Sequence, residues 1–141
     1  MLFGCGQESR EPDDAIAPAG ATTGGIAWDL ASVEGKLRAA GLQPVRAAEP
    51  VRQPFMTVAG SLLNLGNGEV QIYIYGDASA RAHDTHRLDP HQVAPPHMMV
   101  SWRMPPTLIV SDNLAAILLT HDAALRDHVR RALTHPSHGG T

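Results

Sequence analysis

The sequence is poor in several features that usually reveal a protein's class. Its 141 residues include a single cysteine, Cys5, so an internal disulfide is excluded. Aromatic residues make up only 4%, which leaves Leu, Ile, Val and Ala to fill the core. No run of about 18 apolar residues occurs, so no segment has the pattern of a membrane span. The net charge is −3 and no basic cluster offsets it, so we expect no nucleic-acid partner.

The strongest folding signal is the stretch 57–77, which is typical of a β-hairpin. Asn67-Gly68 tolerate the positive φ angles of a tight type I′ turn, and with this pair as the loop Leu63 lies opposite Ile72. Alternation along the two strands then separates an apolar face from a more polar one. The apolar face carries Leu63, Leu65, Val70, Ile72 and Ile74, and the other face carries Asn64, Gln71, Tyr73 and Tyr75.

The rest of residues 26–134 shows alternating helix and strand signals. Three helices are predicted over 28–40, 78–88 and 123–133, a short edge strand over 45–52, a strand over 98–103, and a second hairpin from 107–110 and 114–120. Hairpins require antiparallel pairing, and helices with one apolar stripe cover one face of a sheet. The sequence therefore predicts a two-layer α+β domain, with a mostly antiparallel sheet of about five to six strands and helices on one face.

Both ends of the chain differ in composition from this single α+β domain. Residues 6–25 are rich in Gly, Pro, Ala, Thr and acidic groups and nearly free of large apolar side chains. Such a segment buries too little surface to offset its loss of conformational entropy. We therefore expect residues 1–25 to combine a lipobox-like start with a disordered tether, and residues 135–141 to form a flexible tail.

The start of the chain predicts a lipid anchor. Leu2-Phe3-Gly4-Cys5 fits the end of a lipoprotein signal peptide, in which a small residue precedes the cysteine that receives the lipid. The basic and long apolar regions of a signal peptide do not precede it. Either the start codon lies upstream of Met1, or the sequence begins inside the signal peptide. We expect an extracytoplasmic protein held at the membrane only by lipidated Cys5; the alternative is an ordinary N-terminal cysteine.

Residues 28–133 also resemble a family of small, uncharacterised bacterial proteins, many of which are predicted lipoproteins. The resemblance rests on Leu37-Arg38-Ala39-Ala40-Gly41, Gln53-Pro54-Phe55, Gly68-Glu69-Val70-Gln71-Ile72-Tyr73, Trp102 with Pro105-Pro106, and Asn113-Leu114 leading to Asp122. It supports the lipoprotein interpretation and implies no activity.

Eight histidines raise the possibility of a metal site. His83 and His86 stand three apart on the second predicted helix, a spacing that places two imidazoles where they can share a divalent metal. Asp84, Asp89 and Asp122 are candidate further ligands. The set has no compact signature such as His-Glu-x-x-His, and solvated histidines on polar helix faces account for it equally well.

The remaining candidate site is a binding face rather than a catalytic centre. No serine has a nucleophile-elbow context, and the only cysteine lies at the predicted anchor. Tyr73, Tyr75 and Trp102 would offer contact surface if exposed, and the alternative is that the second helix covers them. The sequence thus predicts a non-enzymatic lipoprotein module, without a cofactor, that binds a protein or envelope component. The alternatives are a histidine-based divalent-metal protein and a small enzyme of unrecognised type.

Overall fold

A five-stranded antiparallel sheet forms the centre of the structure, a computed structural model that describes residues 27–134. The elements in chain order are α1 (Leu30–Ala39), β1 (Val45–Val51), β2 (Gly60–Asn64), β3 (Gly68–Ile74), α2 (Ala78–Thr85), β4 (Pro106–Ser111), β5 (Leu114–Thr120) and α3 (Ala123–Thr134). The predicted anchor at Cys5, the tether and the tail lie outside the described residues.

The strands lie in the order β1-β2-β3-β5-β4, and every neighbouring pair is antiparallel. Strand β5 pairs with β3 on one side and β4 on the other, and all seven of its residues are buried. Its sequence is apolar at both alternating sets of positions, which predicts a strand covered on both faces. The predicted α+β fold, with an antiparallel sheet and helices packed on one face, is confirmed, and the sheet has five strands.

The first core lies between the sheet and helices α1 and α3. Leu63, Val70 and Ile72 of the predicted apolar face pack there with Leu125 and Val129 of α3.

Helix α1 is stabilised at both ends by residues of its own sequence. The side chain of Asp29, the N-cap residue, accepts a hydrogen bond from the Ser32 backbone amide at 2.7 Å. Gly41, with φ +90°, ends the helix.

A second core covers the other face of the sheet. Tyr73 and Tyr75 of β3 and its extension pack there with Ile117 of β5, and Met56 and Val93 close over them from two irregular segments. Residues 51–58 and 86–106 supply this covering, together with the end of α2. The central strands β3 and β5 are therefore buried on both faces, although only one face carries the two large amphipathic helices.

The first hairpin has the predicted faces but a different turn. The loop is Gly66-Asn67 rather than Asn67-Gly68, because the Leu65 amide donates to the Gly68 carbonyl at 2.8 Å and Leu63 lies opposite Val70. Gly66 supplies the positive φ, +87°, at the first turn position. Gly68 is needed in the strand, since a Cβ there would stand 2.7 Å from the Leu119 carbonyl oxygen. The register moves by two residues, which leaves both faces unchanged.

The prediction of a strand over 98–103 is wrong. These residues pair with no strand, and they belong to the irregular segment 86–105 between α2 and β4. The alternation of Met98, Val100 and Trp102 resembles a strand, but prolines on both sides of the segment remove the amide donors that a sheet neighbour would need. The Trp102 indole instead donates to the Gln92 carbonyl within the same segment, at 2.9 Å.

Candidate functional site

The irregular segment after α2 is organised around one carboxylate. Asp89 accepts from the backbone amides of His91 and Gln92 at 2.7 and 2.9 Å, and these hydrogen bonds hold the pKa of Asp89 below its usual value. The Val93 amide donates to the Asp89 carbonyl at 2.7 Å, and the Asp89 amide donates to the Ala94 carbonyl at 3.1 Å. These bonds close the segment into a compact loop.

Val93 anchors this loop, residues 89–94, in the second core. Its side chain is completely buried in the second core, yet its backbone has φ +50°. The left-handed region is unfavourable for a β-branched residue, so burial and the surrounding hydrogen bonds hold Val93 in a strained conformation. Residues that follow Val93 are thereby placed against the outer side of the second core.

Two further contacts position the part of the segment nearest β4. Trp102 packs its ring edge-on against Phe55, with centroids 6.4 Å apart and an interplanar angle of 76°. Arg103 forms an ion pair with the carboxylate of Glu69, a buried residue of β3. The segment is therefore tied to the sheet by a polar contact at Arg103, and to the loop between β1 and β2 by an aromatic contact at Trp102.

These constraints leave a surface groove of about 510 Å³ between the segment and the end of β5. We call it the methionine groove, and six of its lining residues are His91, Met98, Met99, Trp102, Met104 and His121. Met98 is 38% exposed and Met99 is 98% exposed, so two thioether side chains stand open to solvent at its mouth. The residues that line it include no carboxylate, hydroxyl or thiol group.

The structure does not assemble the exposed aromatic face predicted from Tyr73, Tyr75 and Trp102. Tyr73 is fully buried and donates to the Gln71 side-chain oxygen at 2.6 Å, and Tyr75 is only 5% exposed. Burial raises the pKa of both hydroxyls above the ordinary tyrosine value. The irregular segments, rather than α2 alone, cover the two rings. Trp102 is half-buried and is the member of the trio that lines the groove.

The predicted histidine pair does come together. His83 and His86 line a small cavity of about 220 Å³ together with Asp84. The Nδ1 atom of His86 lies 3.0 Å from the Ala82 carbonyl oxygen, so that nitrogen is engaged with the backbone. Asp84 accepts three hydrogen bonds from residues of neighbouring segments. Across residues 27–134, no three His, Cys, Asp or Glu side chains are grouped so that they would hold a metal ion.

Sequence reasoning missed the methionine groove. Three of the chain's five methionines fall within the seven residues 98–104, which is a visible signal in the sequence. The strand predicted over 98–103 would place Met98 on one face with Val100 and Trp102, and it assigns no role to Met99 or Met104. The histidines at 91 and 121 are distant along the chain, and only the fold brings them to the same groove.

No helix in the described part of the chain is long and apolar enough to cross a membrane. No protein-family model, curated protein or solved structure matches the chain. The resemblance to small bacterial lipoproteins therefore stays a prediction.

Proposed function

We propose that this protein is a non-enzymatic, extracytoplasmic lipoprotein that is anchored through Cys5 and binds a ligand in the methionine groove. The observation that carries the binding role is the groove itself, because it combines concave shape, exposed thioethers and fixed walls. Ligand sites are typically concave and mostly apolar, with a few placed polar groups. Methionine side chains are flexible and polarisable, which suits surfaces that adapt to a bound partner.

The chemistry of the lining supports binding rather than catalysis. Its polar members are His91, Gln92, Arg103 and His121, with no nucleophile or carboxylate beside them. Arg103 already pairs with Glu69, which leaves imidazole and amide groups to orient a ligand among apolar walls. A protein or envelope component with an exposed apolar group fits this lining. Anchorage is supported by Leu2-Phe3-Gly4-Cys5 and by the composition of residues 6–25.

Cell fractionation tests the anchor. The full-length protein, expressed from its own gene with the upstream DNA, is expected in the detergent-extracted membrane fraction. Cys5→Ala removes the acceptor sulfur and is expected to move the protein to the soluble fraction. Identical fractionation of both proteins would contradict the anchored state, whatever the groove does.

A fluorescent apolar probe tests the groove. The full-length Cys5→Ala protein is titrated with 8-anilinonaphthalene-1-sulfonate. Met99→Glu is expected to weaken probe binding by about tenfold, because it replaces an apolar contact with a charge. Val45→Glu is the matched control, since Val45 is 63% exposed on the edge strand β1 and lies outside the groove. Equal binding in the two variants, or no binding to the parent, would overturn the groove as a site for apolar ligands.

A further inference from the structure

We propose that the methionine groove also binds a soft monovalent metal ion, Cu(I) or Ag(I). This inference rests on the proposed role of the groove as a ligand site, but not on the lipid anchor. The juxtaposition that carries it is three thioethers, from Met98, Met99 and Met104, in one groove with the imidazoles of His91 and His121.

The donor set selects the metal. Thioether sulfur is a soft ligand that favours Cu(I), and imidazole also binds copper well. The groove lining offers no carboxylate for a hard cation such as Mg²⁺ or Ca²⁺, and no thiolate for a structural zinc site. Residues 27–134 bring together no alternative group of three His, Cys, Asp or Glu ligands. The methionines are therefore the feature that distinguishes this groove from the small cavity of His83 and His86.

The scaffold combines mobile ligands with a fixed base. Met99 is 98% exposed and Met98 38% exposed, and an unbranched side chain with three rotatable bonds can turn its sulfur toward an ion. The wall beside them is rigid, because the Trp102 indole donates to the Gln92 carbonyl at 2.9 Å and packs against Phe55. An indole that lines a cation site also adds an attractive cation–π interaction.

Competition titration under anaerobic conditions tests the site. The full-length Cys5→Ala protein, which lacks the only thiol, is titrated with Cu(I) in the presence of bicinchoninate. We expect one tight ion per chain. Met99→Leu alone, and Met98→Leu/Met99→Leu/Met104→Leu together, should weaken binding by at least about tenfold. Met56→Leu is the control, since Met56 is a buried methionine outside the groove.

A second readout identifies the ligands directly. With methyl-¹³C methionine, Ag(I) should shift the resonances of Met98, Met99 and Met104 and leave that of Met56 in place. Circular dichroism establishes that each variant is folded, and Met99→Leu changes a side chain that is almost wholly in solvent. His91→Asn should weaken Cu(I) binding. His128→Asn is its control, because His128 is exposed on α3 and does not line the groove.

The soft-metal site would be overturned by unchanged Cu(I) affinity in the triple variant, by a methionine shift confined to Met56, or by loss of binding on His83→Ala/His86→Ala instead. Probe binding without Cu(I) binding would leave the groove as an organic-ligand site and end this inference alone. Loss of both would contradict the groove and the inference together, and neither outcome bears on the anchor.

Discussion

One carboxylate oxygen of Asp84 accepts the hydroxyl hydrogen of Tyr75 at 2.8 Å and so joins α2 to the end of β3. The same oxygen accepts from the amide and hydroxyl of Thr57 at 2.7 and 2.8 Å. Partial burial by itself would raise the pKa of Asp84, but the Thr57 amide, the Thr57 hydroxyl and the Tyr75 hydroxyl together outweigh it, and the pKa lies below the ordinary value. A single residue thus connects three segments around the second core.

Replacing Asp84 with asparagine is expected to destabilise the protein by about 1 to 2 kcal/mol near neutral pH, because charge-assisted hydrogen bonds become neutral ones at a half-exposed position. The carboxylate's contribution is fully present above the ordinary pKa of 3.8 and is lost as the pH falls through the lower folded-state value. Urea denaturation should therefore show the difference between the two proteins shrinking at acidic pH. Asp127→Asn, on an exposed position of α3, should change little; a pH-independent difference at Asp84 would contradict the prediction.

Asn113 is expected to be the most sensitive polar residue of the fold. It is 5% exposed, and its amide accepts from the Trp28 amide at 2.7 Å and donates to the carbonyls of Trp28 and Tyr75 at 3.0 Å each. Asn113→Ala leaves these buried backbone groups without partners, at a cost of about 2 to 4 kcal/mol in the free energy of unfolding. Chemical denaturation followed by tryptophan fluorescence measures it.

Ser111→Ala is the matched comparison for Asn113. The Ser111 hydroxyl accepts from the Trp28 indole at 3.3 Å, which is a longer contact at a less buried position. Its loss should cost clearly less than the loss of Asn113. Equal effects of the two variants would mean that the Asn113 amide does not hold the start of α1 to the turn between β4 and β5.

The sequence was sufficient to predict those parts of the fold in which periodicity and turn residues agree. Alternation around residues 57–77 predicted which side chains share a face, and β5 was predicted as central because both of its faces are apolar. The turn was misplaced by one residue because Gly66 and Gly68 both fit a positive φ. The position of the turn depends on the close approach of Gly68 to Leu119, which lies on a strand about fifty residues later.

The candidate site was much less predictable. Local alternation at Met98, Val100 and Trp102 resembles a strand, but prolines on both sides of this segment remove the amide donors that a sheet neighbour would need. The loop is instead organised by long-range contacts, with Val93 in the second core and Arg103 paired with Glu69. Tyr73 and Tyr75 were correctly placed together on one face, yet which segment covers that face is not encoded in the periodicity of the strand.

Replacement of glycine by alanine is expected to change the stability in opposite directions at two positions. A Cβ at Gly60 would lie 2.7 Å from the Cε1 atom of Tyr73, whose ring is fully buried, so Gly60→Ala should destabilise the protein by about 1 to 3 kcal/mol. A Cβ at Gly35, inside α1, meets nothing within 4 Å, so Gly35→Ala should stabilise it by about 0.5 to 1 kcal/mol. Thermal unfolding of the two variants beside the parent measures both signs. Tolerance of Gly60→Ala would mean that the Tyr73 ring is not confined as described.

The rate of methionine oxidation should differ between the groove and the second core. Peroxide reacts with accessible thioethers, so Met99, at 98% exposure, should be oxidised first and Met98, at 38%, next. Met56 is 8% exposed, and its sulfur lies 3.3 Å from the Tyr75 hydroxyl within the core, so its sulfoxide should form only on opening of that core, about tenfold or more slowly. Peptide mass spectrometry over a time course of dilute peroxide treatment orders the rates. Oxidation of Met56 as fast as that of Met99 would contradict this prediction. It would mean that residues 51–58 open readily, so that Phe55 would not hold Trp102 as a rigid wall of the groove.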